Sequence, residues 1–301
     1  MTLQQLQYIV AVADTGQFSK AARRCHVTQP TLTMMVRKLE EELGVTIFER
    51  RMQPARATTE GEGLIAQARV VLREAGQLKD LVNELRSGTA GTHRIGIIPT
   101  LAPYLLPLFL TRFAKDHPNA RLSIDEIKTS RILEGLRQGA IDMGILAGPI
   151  EEEEIETITL FKEPFLIYLP HRHPLLKKKQ IARSDLRKAP LWVLSEGHCL
   201  RDQVLKVCQQ PSAAGHDNIV YSTGSIETLK RMVNSGSGLT LVPELSVRAD
   251  EKNVRRFASP EPAREVVLAV RKPFVRRKAL EALVDAIREV VPRRMRSVTS
   301  P

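Results

Sequence analysis

The sequence predicts an α/β protein in three parts: an N-terminal winged helix-turn-helix over residues 1–58, a long linker helix over 59–90, and a two-lobed α/β unit over 91–301. Three observations carry this prediction. Two short helical segments flank a tight turn near the N-terminus, apolar residues then recur at heptad spacing for three heptads, and beyond Gly91 strand-like and helix-like segments alternate.

The first helix runs from Leu3 to Thr15 and breaks at Gly16, and Ser19 is a candidate N-cap for a helix from Lys20 to Arg24. After a turn at Cys25-His26-Val27, Thr28 caps a helix that carries Pro30 in its first turn, continues to Glu42 and ends at Gly44. Two helices around such a turn form a helix-turn-helix. Val45 to Phe48 and the basic stretch Arg50 to Arg56 then read as a hairpin wing.

Thr59-Glu60-Gly61-Glu62 has the form of a capping box. Leu64, Ala68, Val71, Ala75, Leu78, Val82 and Leu85 follow at alternating spacings of four and three, which is a coiled-coil seam; the competing reading is a helix packed on its own domain. Ser87-Gly88 and Gly91 close this helix.

Strands are expected at Ile95 to Ile98, Ala120 to Ile127 and Met143 to Leu146, with helices at Leu105 to Ala114 and Ser130 to Gln138 between them. This βαβαβ order implies a mostly parallel sheet. It repeats loosely as Phe165 to Leu169, a helix after Cys199, a strand near Val220, a helix from Ile226 to Asn234 and a strand from Leu239 to Val242. Two lobes with a cleft between them follow, one from 91–163 with 268–301 and the other from 164–267. The run Glu151 to Glu154 reads as a solvated loop.

Hydrophobic residues make up 43% of the chain, and the net charge is +11, which suits a polyanion such as double-stranded DNA. The charge alone does not locate a surface: the first sixty residues hold eight basic and six acidic side chains. The N-terminus lacks a basic region followed by a long apolar run, and Leu101 to Leu110 is too short to span a bilayer and contains Pro103 and Pro107. A cytoplasmic location without a membrane partner is therefore expected, and there thiols rest reduced.

Only three cysteines occur, and two of them, Cys199 and Cys208, lie nine residues apart. Leu200, Val204 and Val207 recur at helical spacing around them, so the segment reads as an amphipathic helix with Cys208 on or beside its apolar face. Nine residues place the two sulfurs on opposite faces and about 13 Å apart along the axis, whereas a disulfide needs Cα atoms within about 7 Å. If the two join, the helix must come apart. Cys25 stands alone and reads as a small buried hydrophobe.

On the second helix of the helix-turn-helix, Gln29, Pro30, Thr31, Thr33 and Arg37 are placed to face a major groove, with Met34 a candidate to touch a thymine methyl, while Leu32, Val36 and Leu39 face the core. Arg50, Arg51 and Arg56 on the wing suit phosphates or a minor groove.

The segments Phe18-Ser19-Lys20-Ala21-Ala22, Val27-Thr28-Gln29-Pro30-Thr31-Leu32, Arg37-Lys38-Leu39-Glu40, Leu43-Gly44 and Phe48-Glu49-Arg50 resemble the N-terminal signature of LysR-type transcriptional regulators. Gln138-Gly139-Ala140-Ile141-Asp142 and Gly236-Ser237-Gly238-Leu239-Thr240-Leu241-Val242-Pro243 look like the effector domain of the same family. Within it, Gly197-His198-Cys199-Leu200-Arg201-Asp202-Gln203 with a second cysteine at Cys208 resembles the members that sense hydrogen peroxide. Met34, Met35 and the wing tip Met52-Gln53-Pro54 depart from the family pattern, which bears on operator preference.

The resemblance implies a periplasmic-binding-protein-like effector domain, a homotetramer built as a dimer of dimers, contact with RNA polymerase, and activation of genes by a reversible Cys199–Cys208 disulfide that a thiol reductant resets. It also implies a peroxide pocket of Thr100, Thr129, His198, Asp202, Gln203 and Arg271, with Arg271 supplying a cation. On local sequence alone Thr100 and Thr129 read equally well as helix caps, and Arg271 as a salt-bridged or solvated side chain. Two readings compete with peroxide sensing: a regulator whose cleft takes a small metabolite, and a thiol peroxidase, which would leave the helix-turn-helix and the seam without a use. A metal site from His198, Cys199, Cys208 and His216 lacks the close Cys-x2-Cys pairing of structural zinc sites, so neither metal nor other cofactor is expected.

Overall fold

The computed structural model describes residues 1–49, 54–186, 190–208, 223–236 and 238–296, and it divides into two compact units, Met1–Arg86 and Ser87–Pro301. Arg50, Arg51, the wing tip at Met52-Gln53, the strand expected near Val220, His216 and Ser237 lie outside the described residues.

In the first unit α1 (Leu3–Thr15) begins at a capping box between Thr2 and Gln5 and ends at Gly16, whose φ of 63° closes the helix in the left-handed region. The α2 helix (Phe18–Arg24) starts one residue before Ser19 and has no side-chain cap, so Ser19 lies inside the first turn instead of capping it. Thr28 caps α3 (Gln29–Leu43), with Pro30 in its first turn and Gly44 ending it. The buried Glu40 carboxylate accepts from the backbone N–H groups of Ile47 (2.7 Å) and Phe48 (3.3 Å), which ties the start of the wing to α3. The wing is the antiparallel pair β1 (Phe48–Glu49) and β2 (Arg56–Ala57).

The helix α4 (Thr59–Ser87) is capped by Thr58, whose hydroxyl accepts from the Gly61 N–H at 2.9 Å, not by Thr59. Its apolar stripe serves two ends. Ile65 and Ala68 are buried in the core of this unit, and Leu64, Val71 and Leu72 pack against that core, as the own-domain reading requires. Leu78, Leu81 and Val82 are instead exposed, Leu78 at 68%.

The second unit contains β3 (Gly91–Ile97), α5 (Ala102–Asp116), β4 (Ala120–Glu126), α6 (Thr129–Gln138), β5 (Met143–Ala147), β6 (Ile155–Tyr168), β7 (Gln180–Ile181), α7 (Cys199–Cys208), α8 (Ile226–Asn234), β8 (Thr240–Pro243), β9 (Val254–Phe257), β10 (Ala263–Arg271) and α9 (Arg277–Val290). Two separate apolar cores define two lobes. One gathers residues of β3, α5, α6, β5 and α9 with Leu160, Phe161 and Val266 to Val270, and the other gathers Phe165 to Leu169, α7, α8, β8 and Phe257.

The sheet order is β4-β3-β5-β10-β6-β9-β7, with β8 also on β6. The expectation of a mostly parallel sheet is corrected here. β3 is parallel to β4 and to β5, but β10 is antiparallel to both β5 and β6, and β6 is antiparallel to β8 and β9. The cause is the crossing: the chain passes from the first lobe to the second along the long strand β6 and returns along β10, so these two strands run in opposite directions. Neither β10 nor α9 was assigned from the sequence.

Gly96 and Gly144 are register partners on β3 and β5, and they form a flat floor beneath α6. A Cβ on Gly144 would meet the Ile132 side chain at 2.4 Å, and one on Gly96 would meet it at 2.9 Å. The close seat this allows fixes where the N-terminus of α6 points.

Candidate redox site and nucleic-acid interface

The C-terminal ends of β3 and β4 lie side by side, with Ile97 paired to Glu126 and the Ile127 N–H donating to the Ile97 carbonyl at 3.0 Å. Ligands of parallel α/β sheets bind beyond this end of the strands. Thr100 follows β3 there, and Thr129 follows β4 as the first residue of α6.

Thr129 reaches the other lobe. Its Oγ1 is hydrogen-bonded to the Sγ of Cys199 at 3.2 Å, and Cys199 is the first residue of α7. The N-termini of two helices, one from each lobe, therefore meet at this sulfur, and each turns the positive end of its helix dipole toward it. Cys199 is half-buried, whereas Cys208, at the other end of α7, is 1% exposed in the second core. Burial pushes the Cys208 thiol up to about 11. Both thiols are free.

The remaining pocket residues separate into groups. His198 is buried, with Gly224 leaving room for its ring, since a Cβ there would stand 3.0 Å from Nε2. Desolvation first, and then the charge of Lys128, hold His198 below the ordinary histidine range. Gln203 turns its Oε1 into the interior, where it has no hydrogen-bond partner among the described residues, and Asp202 is exposed on the first turn of α7.

Arg271 is placed elsewhere, and this corrects the expectation. Its strand runs antiparallel to β5, with Val266 opposite Ala147 and Ala269 opposite Gly144, so β10 starts at the Thr100 end of the sheet and finishes at the other. Arg271 pairs with Glu154 there, at 3.6 Å. The cation beside Thr100 is Arg264, about 23 Å back along the strand. Its guanidinium donates to Thr100 Oγ1 and to the Thr100 carbonyl, both at 3.0 Å, and to Glu163 Oε2 at 2.8 Å. Arg264 and Glu163 are 2% and 0% exposed. The Thr100 hydroxyl is thus part of a buried ion-pair network and not a plain helix cap. Arg264 and Arg271 flank the same apolar run, Val266 to Val270, so the local sequence held no signal that singles out Arg264.

Two further contacts join the lobes beside this site. Lys128, next to Thr129, donates to the Glu196 carbonyl at 3.5 Å, and Tyr104 on α5 donates to Glu227 on α8 at 2.9 Å. Burial and Glu227 both raise the Tyr104 phenol above its ordinary range. Among the described residues, no cluster of three or more His, Cys, Asp or Glu side chains converges as a metal site.

In the first unit, Gln29, Pro30, Thr31 and Arg37 are exposed on α3 and Thr33 is half-exposed, while Leu32, Val36 and Leu39 are buried as expected. The Thr31 hydroxyl shares a 2.8 Å hydrogen bond with Thr28. Arg56 is exposed on β2. Cys25 is half-buried at the margin of the core, less enclosed than expected.

Comparison with known proteins agrees with this architecture. Residues 3–62 match the bacterial regulatory helix-turn-helix protein family of lysR type, and residues 86–292 match the LysR substrate binding domain. The chain is 39% identical over 293 residues to the hydrogen peroxide-inducible genes activator of Pectobacterium carotovorum subsp. carotovorum, covering 96% of each chain. It is 37% identical to the DNA-binding transcriptional dual regulator OxyR of Escherichia coli K12, covering 96% of this chain and 95% of that one. The chain belongs to the OxyR group of the LysR family.

Like other LysR-family members it is a DNA-binding transcriptional regulator and not an enzyme. Its fold matches a full-length OxyR cysteine-to-aspartate mutant from Pseudomonas aeruginosa with a TM-score of 0.80 at 39% identity, over 97% of this chain and 99% of that one. No helix among the described residues is long and apolar enough to cross a membrane.

Proposed function

We propose that this LysR-family chain is a transcriptional activator that senses hydrogen peroxide at Cys199 and stores the signal as a reversible Cys199–Cys208 disulfide. One observation carries the reading: a single helix begins at a half-buried cysteine in contact with Thr129 and ends at a buried one.

The Cys199 thiolate attacks one peroxide oxygen, the O–O bond breaks, and a sulfenic acid forms with release of hydroxide. Thr129, the Thr100–Arg264 pair and the N-termini of α6 and α7 are the donors available to the peroxide and to the leaving oxygen. Resolution follows when the Cys208 sulfur attacks the sulfenic sulfur, forming the disulfide and releasing the second oxygen as water after proton transfer. Inside α7 Cys208 is protonated at neutral pH and held away from Cys199, so the helix opens before the second step. The lobe contacts made through Thr129 and Lys128 change with it, which is the output to DNA. His198, Asp202 and Gln203, all on or beside the first turn of α7, move with this opening.

Gln29, Pro30, Thr31, Thr33, Arg37, Arg50, Arg51 and Arg56 contact promoter DNA. The exposed Leu78, Leu81 and Val82 on α4 form the dimer seam, and two such dimers make a homotetramer that contacts RNA polymerase in the cytoplasm. A thiol reductant restores the dithiol.

Mapping the thiols by mass spectrometry after micromolar peroxide tests the proposal. A Cys199–Cys208 link with Cys25 left free is the expected product. Unchanged thiols would mean that the cleft takes a metabolite and the cysteines are incidental.

A further inference from the structure

The helix α3 buries Leu32, Val36, Leu39 and Glu40 along one side. At 100° per residue, Met34 falls opposite the middle of that buried face. It is 61% exposed, the one large apolar side chain on the outward side of α3 among the described residues, and its neighbours on the concave outer surface include Gln29, Pro30, Thr33, Arg37 and Lys38. Met35 beside it turns inward to the margin of the core. An apolar side chain this exposed adds nothing to the packing of its own unit.

On the DNA-binding reading proposed above, on which this inference rests, the outward face of α3 lies against base edges. There the one apolar group that a base pair presents in the major groove is the thymine 5-methyl. Arg37 and Lys38, flanking Met34, supply cations for the backbone on either side. We infer that Met34 is a specificity-determining residue that reads one thymine methyl in each half-site of the operator. Its unbranched, polarisable side chain fits a methyl group without a donor or acceptor requirement.

The test uses the full-length protein. Duplexes are selected from a random pool, and each thymine of the selected site is then replaced singly by deoxyuridine, which removes the methyl and leaves base pairing intact. At one thymine per half-site the wild type should lose about fourfold in affinity, the equivalent of one buried methyl. M34Q should bind the thymine and deoxyuridine sites equally at that position, and M34L should keep the discrimination. Uniform tolerance of deoxyuridine by the wild type, or a sensitive position that persists unchanged in M34Q, would overturn the inference while leaving DNA binding intact. Failure to select any sequence would overturn the DNA-binding reading itself, and this inference with it.

Discussion

The Thr129 hydroxyl lies 3.2 Å from the Cys199 sulfur, joining the first residue of α6 to the first residue of α7 across 70 positions of sequence. This contact couples the reacting atom to the lobe opposite its own, so a change in oxidation state at the sulfur is also a change in how the lobes touch. Thr129→Val keeps the shape and removes the hydrogen bond. Peroxide oxidation of Cys199, followed by sulfenic-acid trapping in a Cys208→Ser background, should slow about tenfold, the worth of one hydrogen bond to a charged group. Trapping in Cys199→Ser should give no adduct at Cys208 on the same timescale.

Cys208 gives a pH prediction whose sign follows from its burial. Its native value of about 11 lies above the value of about 9 for a free thiol, so the unfolded chain releases this proton first as pH rises. The stability tied to the protonated thiol is full below pH ~9 and is lost as pH climbs toward ~11, by at most about 3 kcal/mol. Melting temperatures of reduced wild type and Cys208→Ala should converge over that window, since the variant lacks the titration. A difference that stays constant from pH 8 to 11 would show that the thiol is not held in an apolar site.

The Arg264–Glu163 pair beneath Thr100 is the most buried ionic contact of the site. Removing one partner leaves the other charge in the interior, which costs about 3–5 kcal/mol. Glu163→Ala should therefore lower the thermal stability of the effector unit sharply, whereas Arg271→Ala, which removes a half-buried side chain paired at 3.6 Å with the exposed Glu154, should cost clearly less. Equal effects would contradict the register that separates the two arginines.

Much of this was legible in the sequence because its signals are local. The helix Leu3–Thr15, the Thr28 cap with Pro30, the Gly44 stop, the helix from Ile226 to Asn234 and the helix that starts at Cys199 each follow from caps and spacing within a few residues. What was missed depends on partners distant in the chain. Arg264 and Arg271 both sit on one strand, and only the antiparallel register with β5 decides which of them stands at the cleft. Similarly, Thr59 and Thr58 are neighbours in sequence, and the turn back to Ile47 selects Thr58: its N–H donates to the Ile47 carbonyl at 3.0 Å.

The exposed end of α4 predicts association. Leu78→Asp places a charge in the seam formed by Leu78, Leu81 and Val82, and sedimentation of the full-length chain should shift toward monomer at concentrations where the wild type stays associated. Unchanged sedimentation would assign the seam to another surface.

On the proposed function, the two sulfurs meet only when α7 comes apart. As a helix, α7 holds them about 13 Å apart along its axis, roughly twice what a disulfide tolerates. Lys206 lies on the exposed side of α7, away from the buried Leu200, Val204 and Cys208, so the helix is held to the second core along one face only. Hydrogen exchange across residues 203–207, compared between fully reduced protein and protein with the Cys199–Cys208 link confirmed by mass, measures this directly. Protection in that segment should collapse on oxidation while α8 keeps its own. Equal protection of α7 in both states would contradict the proposal.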